Sequence, residues 1–216
     1  MPIPTQLSEL WDFINLEVVW LHGRWIVYRQ LYGTNPERIE LINLASPTFF
    51  WMVERVFMND VQLTLVKLAD PASTRGRANL TLETFVIETE KLQVPELSIN
   101  LRTSLNEYRT CCEKITHRRN KDIAHFDLSI QLGDKAIELP GPSRQEIEIA
   151  LTELRRFMNL VLSHFENTQM AYEHFSLNSD ANQLLFVLTE GLRYRQLQEL
   201  GEIDNVDILS SPYINI

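Results

Sequence analysis

Apolar residues return along this chain every three or four positions for most of its length, the spacing of helices that bury one face. The first such segment runs from about Leu7 to Leu31 and carries Leu10, Trp11, Ile14, Val18, Leu21, Trp25 and Tyr28 on one side. "GTNP" stops it. Asn35 before Pro36 then reads as an N-cap with proline at the first helical position, opening a short helix through Leu44. Ser46-Pro47 repeats the signal and opens a longer helix that Pro71 closes. "PASTRGRAN" reads as a polar loop. A further helix is expected over roughly Thr81 to Leu92, with Pro95 ending that region.

The fifth helix is expected to start near Ser98. Leu101, Leu105, Tyr108, Cys112 and Ile115 are spaced by four, three, four and three, a narrow apolar seam. The next position in that series is Arg119, so a charge stands where a buried residue is due. Beyond His125, "LSIQLGDKAIEL" alternates with period two around Gly133-Asp134, which predicts a small hairpin. "SRQE" at 143–146 is a capping box opening a long helix with the seam Ile147, Leu151, Leu154, Met158, Val161 and Phe165. A last helix is expected from about Asp180 to Leu200. The pattern predicts an all-α antiparallel bundle with one small β-hairpin: one domain over 1–200 and an acidic C-terminal tail over 201–216.

Composition agrees with that class. The chain has 216 residues, enough for one sizeable core, and only 7 glycines, which suits long helices better than a turn-rich sheet. Its net charge of −9 argues against non-specific nucleic-acid binding, so any RNA contact needs a local basic patch. Cys111 and Cys112 are adjacent and point about 100° apart on a helix, so they cannot readily bridge each other. No secretory leader and no apolar run long enough to span a membrane is evident, and a cytoplasmic location is expected. No histidine pair has the spacing of metal ligands, so neither metal nor cofactor is expected.

The candidate patch is local. Between Arg102 and Asp122 stand six cations (Arg102, Arg109, Lys114, Arg118, Arg119 and Lys121) against three anions, Glu107, Glu113 and Asp122. It is either a phosphate-facing surface or a solvated helix face with paired charges. His125 adds a group that both takes and gives a proton near neutral pH. RNA can be cut without metal if a base takes the 2′-hydroxyl proton, an acid protonates the leaving oxygen and a cation holds the phosphate. Arginine suits the last task because its planar fork matches phosphate oxygens. One Arg–His pair does not supply both acid and base, whereas two copies in a symmetric dimer do.

"RNKDIAH" resembles the signature of the HEPN superfamily, an arginine, a preferred polar residue and a histidine; Arg119, Asn120 and His125 fill it with five residues between the outer two. "LVKLADPASTRGRANLTL" at 65–82 resembles the abortive-infection U-type group of that superfamily, in which Asp-Pro ends a helix before a polar loop. "AHFD" and "LLFVLTEG" extend the likeness over most of the chain. The resemblance implies a dimeric, metal-independent endoribonuclease of toxin or phage-defence type. Arg119, Asn120 and His125 would be catalytic, with Arg118, Lys121 and Lys114 binding RNA. It also allows for an antitoxin or other neutralising partner. Where related toxins carry a tyrosine modified by a nucleotidyltransferase antitoxin, this chain has Asp127, so that mechanism is not expected. On an ideal helix Arg119 and His125 are about 120° apart while Arg118 is nearly in line with His125, so the helix ends or kinks near Ala124 or Arg118 is the functional arginine. The alternative function is a catalytically silent HEPN-like bundle that binds a partner protein or a nucleotide.

The remaining polar and aromatic residues read as structure. Asp70-Pro71 is first a helix stop and second a hydrogen-bond partner for the arginine. His22, His117, His164 and His174 are scattered. Trp11, Trp20, Trp25, Trp51, Phe49 and Phe50 suit core and dimer contact better than base stacking. Cys112 is seam packing.

Overall fold

The structure is a computed structural model that describes residues 2–120, 141–176 and 178–203. Among these, seven α-helices follow in order: α1 (Thr5–Tyr32), α2 (Pro36–Ala45), α3 (Pro47–Ala69), α4 (Leu82–Glu90), α5 (Pro95–Arg118), α6 (Arg144–Glu166) and α7 (Ala181–Glu199). A 3₁₀ turn covers Tyr172–His174. The helical class is as the periodicity predicts. The expected hairpin at 128–139, His125, Lys121 and the tail from 204 lie outside the described residues.

The starts of the helices follow from local chemistry. Asn35 accepts the Arg38 N–H, and Pro36 and Pro47 occupy first helical positions where a missing N–H costs nothing. Thr81 accepts the Thr84 N–H at the head of α4. Ser143 and Glu146 form the reciprocal capping box of α6. Asp180 accepts from the amides of Asn182 and Gln183 to start α7. Two expectations need correction. Pro95 does not end a region; it is the first residue of α5, and Val94 before it makes no side-chain cap. And "PASTRGRAN" is not featureless: Ser73–Thr74 (β1) pairs antiparallel with Arg77–Ala78 (β2). Both Arg75 (φ 51°) and Gly76 (φ 77°) take the left-handed backbone that a two-residue hairpin turn demands.

The described residues gather into two compact units, Met1–Ile26 with Arg55–Ser176, and Val27–Glu54 with Leu177–Ile216. In the first, α5 packs along α4 and α6. The predicted seams are its core: Leu101, Leu105, Tyr108, Cys112 and Ile115 are fully buried, facing a file of α6 residues from Ile147 to Phe165 that is buried throughout. Trp25 is tied to α6 by its indole N–H, which donates to Glu148 Oε1 at 2.7 Å. In the second, Leu31, Ile42, Phe50, Ala181 and Leu185 form the buried cluster where α2 meets α7. Trp11 and Trp25 are core residues, whereas Trp20, Trp51 and Phe49 are about half exposed.

Candidate functional site

The site is built where α5 grips the end of α3. Two α5 side chains and the residue that caps the helix donate to that end. Tyr108 Oη donates to the Leu65 carbonyl at 2.6 Å. Arg109 Nε donates to the Ala69 carbonyl at 2.9 Å and its Nη2 to the Asp70 carbonyl at 3.3 Å, satisfying carbonyls that the helix end leaves open. Arg119 then takes the Asp70 carboxylate, Nη2 to Oδ1 at 2.9 Å and Nη1 to Oδ2 at 3.4 Å. Tyr108 and Arg119 are eleven residues apart, about three turns, so one face of α5 carries both. The charge at the seam's end is thus explained: Arg119 does not interrupt the packing, it answers a carboxylate from the helix across. Only 22% of its side chain is exposed and 29% of Asp70. Its Nε is buried and has no hydrogen-bond partner among the described residues.

Regular winding of α5 stops at Arg118, and Arg119 and Asn120 adopt π-helical geometry. Such local unwinding is frequent at functional sites. Ala124 and His125 lie outside the described residues, so the angle expected between Arg119 and His125 has no counterpart among them.

Beside the Asp70–Arg119 pair is a cavity of about 560 Å³. Val66, Ala69 and Pro71 give it apolar wall. Asp70, Glu83, Arg109, Glu113, Thr116, His117 and Asn120 give it polar wall. Two of its three carboxylates are matched. Asp70 has Arg119. Glu83 accepts from Arg109 at 3.1 Å and the Ala72 N–H at 2.8 Å, with Arg102 at 3.6 Å, and the Arg109 bond above all holds its carboxyl below the usual range. Glu113 forms no ion pair or hydrogen bond among the described residues.

The basic surplus of the sequence looks different in space. Arg102 pairs with Glu90 at 2.6 Å, Arg109 with Glu83, Lys114 with both oxygens of Glu146 at 2.9 and 3.0 Å, and Arg119 with Asp70. All four partners lie outside the counted stretch. Lys114, proposed from sequence as an RNA contact, thus meets the head of α6. Arg118 lies against Gly141, where a side chain on residue 141 would overlap its guanidinium. Of the residues picked from sequence, the structure places Arg119 and Asn120 at the cavity and its clasp, and Arg118 and Lys114 elsewhere on α5. Sequence reasoning gave Asp70 only a secondary part, counted Arg109 and Glu113 merely as charges of the patch, left His117 as structure and passed over Glu83. The spacing of Glu113, His117 and Asn120 by four and three was the available signal that they share a face.

Among the described residues, no group of three His, Cys, Asp or Glu side chains is placed to hold a metal, and no helix is long and apolar enough to cross a membrane. Comparison with curated proteins and with solved structures finds no match. The family model of the AbiU2 type of HEPN domain matches residues 5–184, from the first turn of α1 into α7. With the Arg–Asn signature at the π-helical end of α5 and the Asp-Pro end of α3 clasped to it, the chain belongs to the AbiU2 group of HEPN domains, the abortive-infection type.

Proposed function

We propose that the protein is a metal-independent endoribonuclease of the abortive-infection type whose site is completed by two copies of the chain. The observation that carries this reading is the Asp70 clasp on Arg119, beside a cavity that Asn120 lines. A carboxylate that takes two of the five guanidinium N–H groups fixes the plane of the remainder, as expected of an arginine that must meet a phosphate in one orientation. His125 of one copy takes the proton of the 2′-hydroxyl, the freed oxygen attacks the adjacent phosphorus, and the bond to the 5′ oxygen breaks. That oxygen leaves with a proton from His125 of the other copy, while Arg119 offsets the charge on the phosphoryl oxygens. Asn120 supplies a neutral donor beside it.

His125→Ala should lower cleavage about 10²–10⁴-fold with little change in melting temperature. Arg119→Lys keeps the charge and loses the fork, so it should lose most activity. EDTA should leave cleavage intact. Activity abolished by chelator in a folded protein, or unchanged cleavage in both variants, refutes the reading. The second reading, a silent module that binds a partner protein or nucleotide, is favoured by the pairing of Arg102, Arg109, Lys114 and Arg119 with carboxylates. It predicts that both variants alter binding or melting and that no RNA is cut by any form.

A further inference from the structure

We propose that the cavity beside Arg119 is a guanine pocket that sets which base the site accepts next to the scissile phosphate. This deepens the ribonuclease reading and rests on it for its role in cleavage, though binding to the cavity can be measured without any cleavage. A volume of about 560 Å³ is within the range of small-molecule sites and leaves room for a nucleoside. Val66, Ala69 and Pro71 are its apolar lining and the remaining lining residues are polar, the mixture that a heteroaromatic base calls for.

The electrostatics select the base. Asp70 and Glu83 are already held by Arg119 and Arg109. Glu113 is the cavity carboxylate with no partner among the described residues, and it is exposed on α5. A phosphate is repelled there, so the group that fits is an uncharged donor pair. Guanine presents N1–H and the N2 amino group side by side, one for each carboxylate oxygen. Adenine and cytosine present one amino group next to a ring nitrogen acceptor, which the second oxygen repels. Uracil presents a single N–H between two carbonyls. His117, one turn beyond Glu113 on the same face, brings an aromatic ring of the kind on which RNA bases stack. Asp70 belongs both to this cavity and to the Arg119 clasp, so a base held here puts its own phosphate next to the arginine.

The test is calorimetric titration of the full chain with guanosine, inosine, adenosine and uridine monophosphates, repeated on Glu113→Gln. The residue is exposed, so the variant should melt like the parent. Guanosine monophosphate should bind at least about tenfold tighter than the uridine and adenosine forms, the fold-change expected when one hydrogen bond to a charged group is lost at an exposed site. Inosine monophosphate, which lacks the amino group, should fall between, and Glu113→Gln should level the series. Equal binding of all four, or a preference for guanosine that survives Glu113→Gln, overturns the proposal, as does uptake of an arginine-rich peptide in place of any nucleotide. Mapping cleavage of a mixed-sequence RNA separates the two readings. Guanosine-selective binding without cleavage keeps the pocket and removes the nuclease. Cleavage whose base preference is the same in parent and Glu113→Gln keeps the nuclease and removes the pocket.

Discussion

Removing the charge of Asp70 while keeping its shape is the most informative single change in this molecule. Asp70→Asn preserves the backbone carbonyl that Arg109 holds, so the end of α3 should stay in place. Of the two N–H···O contacts, at 2.9 and 3.4 Å between side chains that are both less than a third exposed, it leaves one as a neutral hydrogen bond and replaces the other acceptor with an NH2 donor that faces a guanidinium N–H. Fully exposed ion pairs are worth roughly 0.2–1 kcal/mol and charged hydrogen bonds about 1.5–3 kcal/mol. With one good bond, one marginal bond and partial screening, the pair should contribute about 1–2 kcal/mol. At roughly 2–4 °C per kcal/mol for a chain of this size, Asp70→Asn should lower the melting temperature by about 2–8 °C. The clean measurement is a double-mutant cycle with Arg119→Gln by urea denaturation. A coupling of about 1–2 kcal/mol is expected. Effects that add to within about 0.3 kcal/mol would show that the pair does not interact in solution. Cleavage assayed well below the melting transition should fall in Asp70→Asn as well, because Arg119 keeps its charge and loses its fixed plane.

Other outcomes are expected elsewhere. His22 is buried, its Nδ1–H donates to the Val18 carbonyl at 2.8 Å, and Arg155 faces its Nε2 at 3.4 Å; burial first, then Arg155, lowers its pKa from 6.5 to about 4. The unfolded chain therefore takes up the proton first. The stability this residue confers should be complete above about pH 6.5 and lost as the pH falls to about 4, by roughly 2–3 kcal/mol, and His22→Gln should flatten that part of the melting-temperature profile. Cys112 is fully buried and its thiol is pushed up to about 12, chiefly by burial, so iodoacetamide at pH 8 should leave it unmodified until the protein unfolds; rapid labelling of the native protein contradicts the packing. Lys114→Met should not change the salt dependence of RNA binding if Glu146 retains the ammonium group, whereas a phosphate contact would reduce the slope by about one.

What the sequence disclosed was whatever chemistry acts within a few residues. Asn35-Pro36, Ser143 with Glu146, and Asp180 mark helix starts because cap and capped amide lie within one turn, and Ser46-Pro47 marks one because Pro47 is itself the first residue of α3. The seams of α5 and α6 were equally legible, since burial at every third or fourth position leaves its period in the text. Pro95 misled because its helix opens without a Ser, Thr, Asp or Asn cap, leaving a proline that could equally have been a stop. The hairpin at Arg75-Gly76 was missed because arginine seldom takes a left-handed backbone, and the usual Asn-Gly or Asp-Gly signal is absent. At the site, Arg119 and Asn120 could be picked from their motif, but the partner of Arg119 is 49 residues away. The basic run looked like a phosphate surface for the same reason: Glu83, Glu90, Glu146 and Asp70 reach it from other elements, and no count along α5 includes them.

Glu146 ties two of these themes together. The same carboxylate accepts the Ser143 N–H at 2.6 Å to close the capping box and both bonds of the Lys114 ammonium group, which with the cap bonds lowers its pKa to about 2. A capping box by itself accepts glutamate or glutamine, but only glutamate also answers a lysine. Across divergent relatives, the freedom of position 146 should therefore depend on position 114. Glutamine should be found at 146 mainly where 114 has lost its charge, and a lineage that changes 146 alone sets a cation loose on α5 in one step. The two positions should drift as a pair, although 32 residues separate them in the chain.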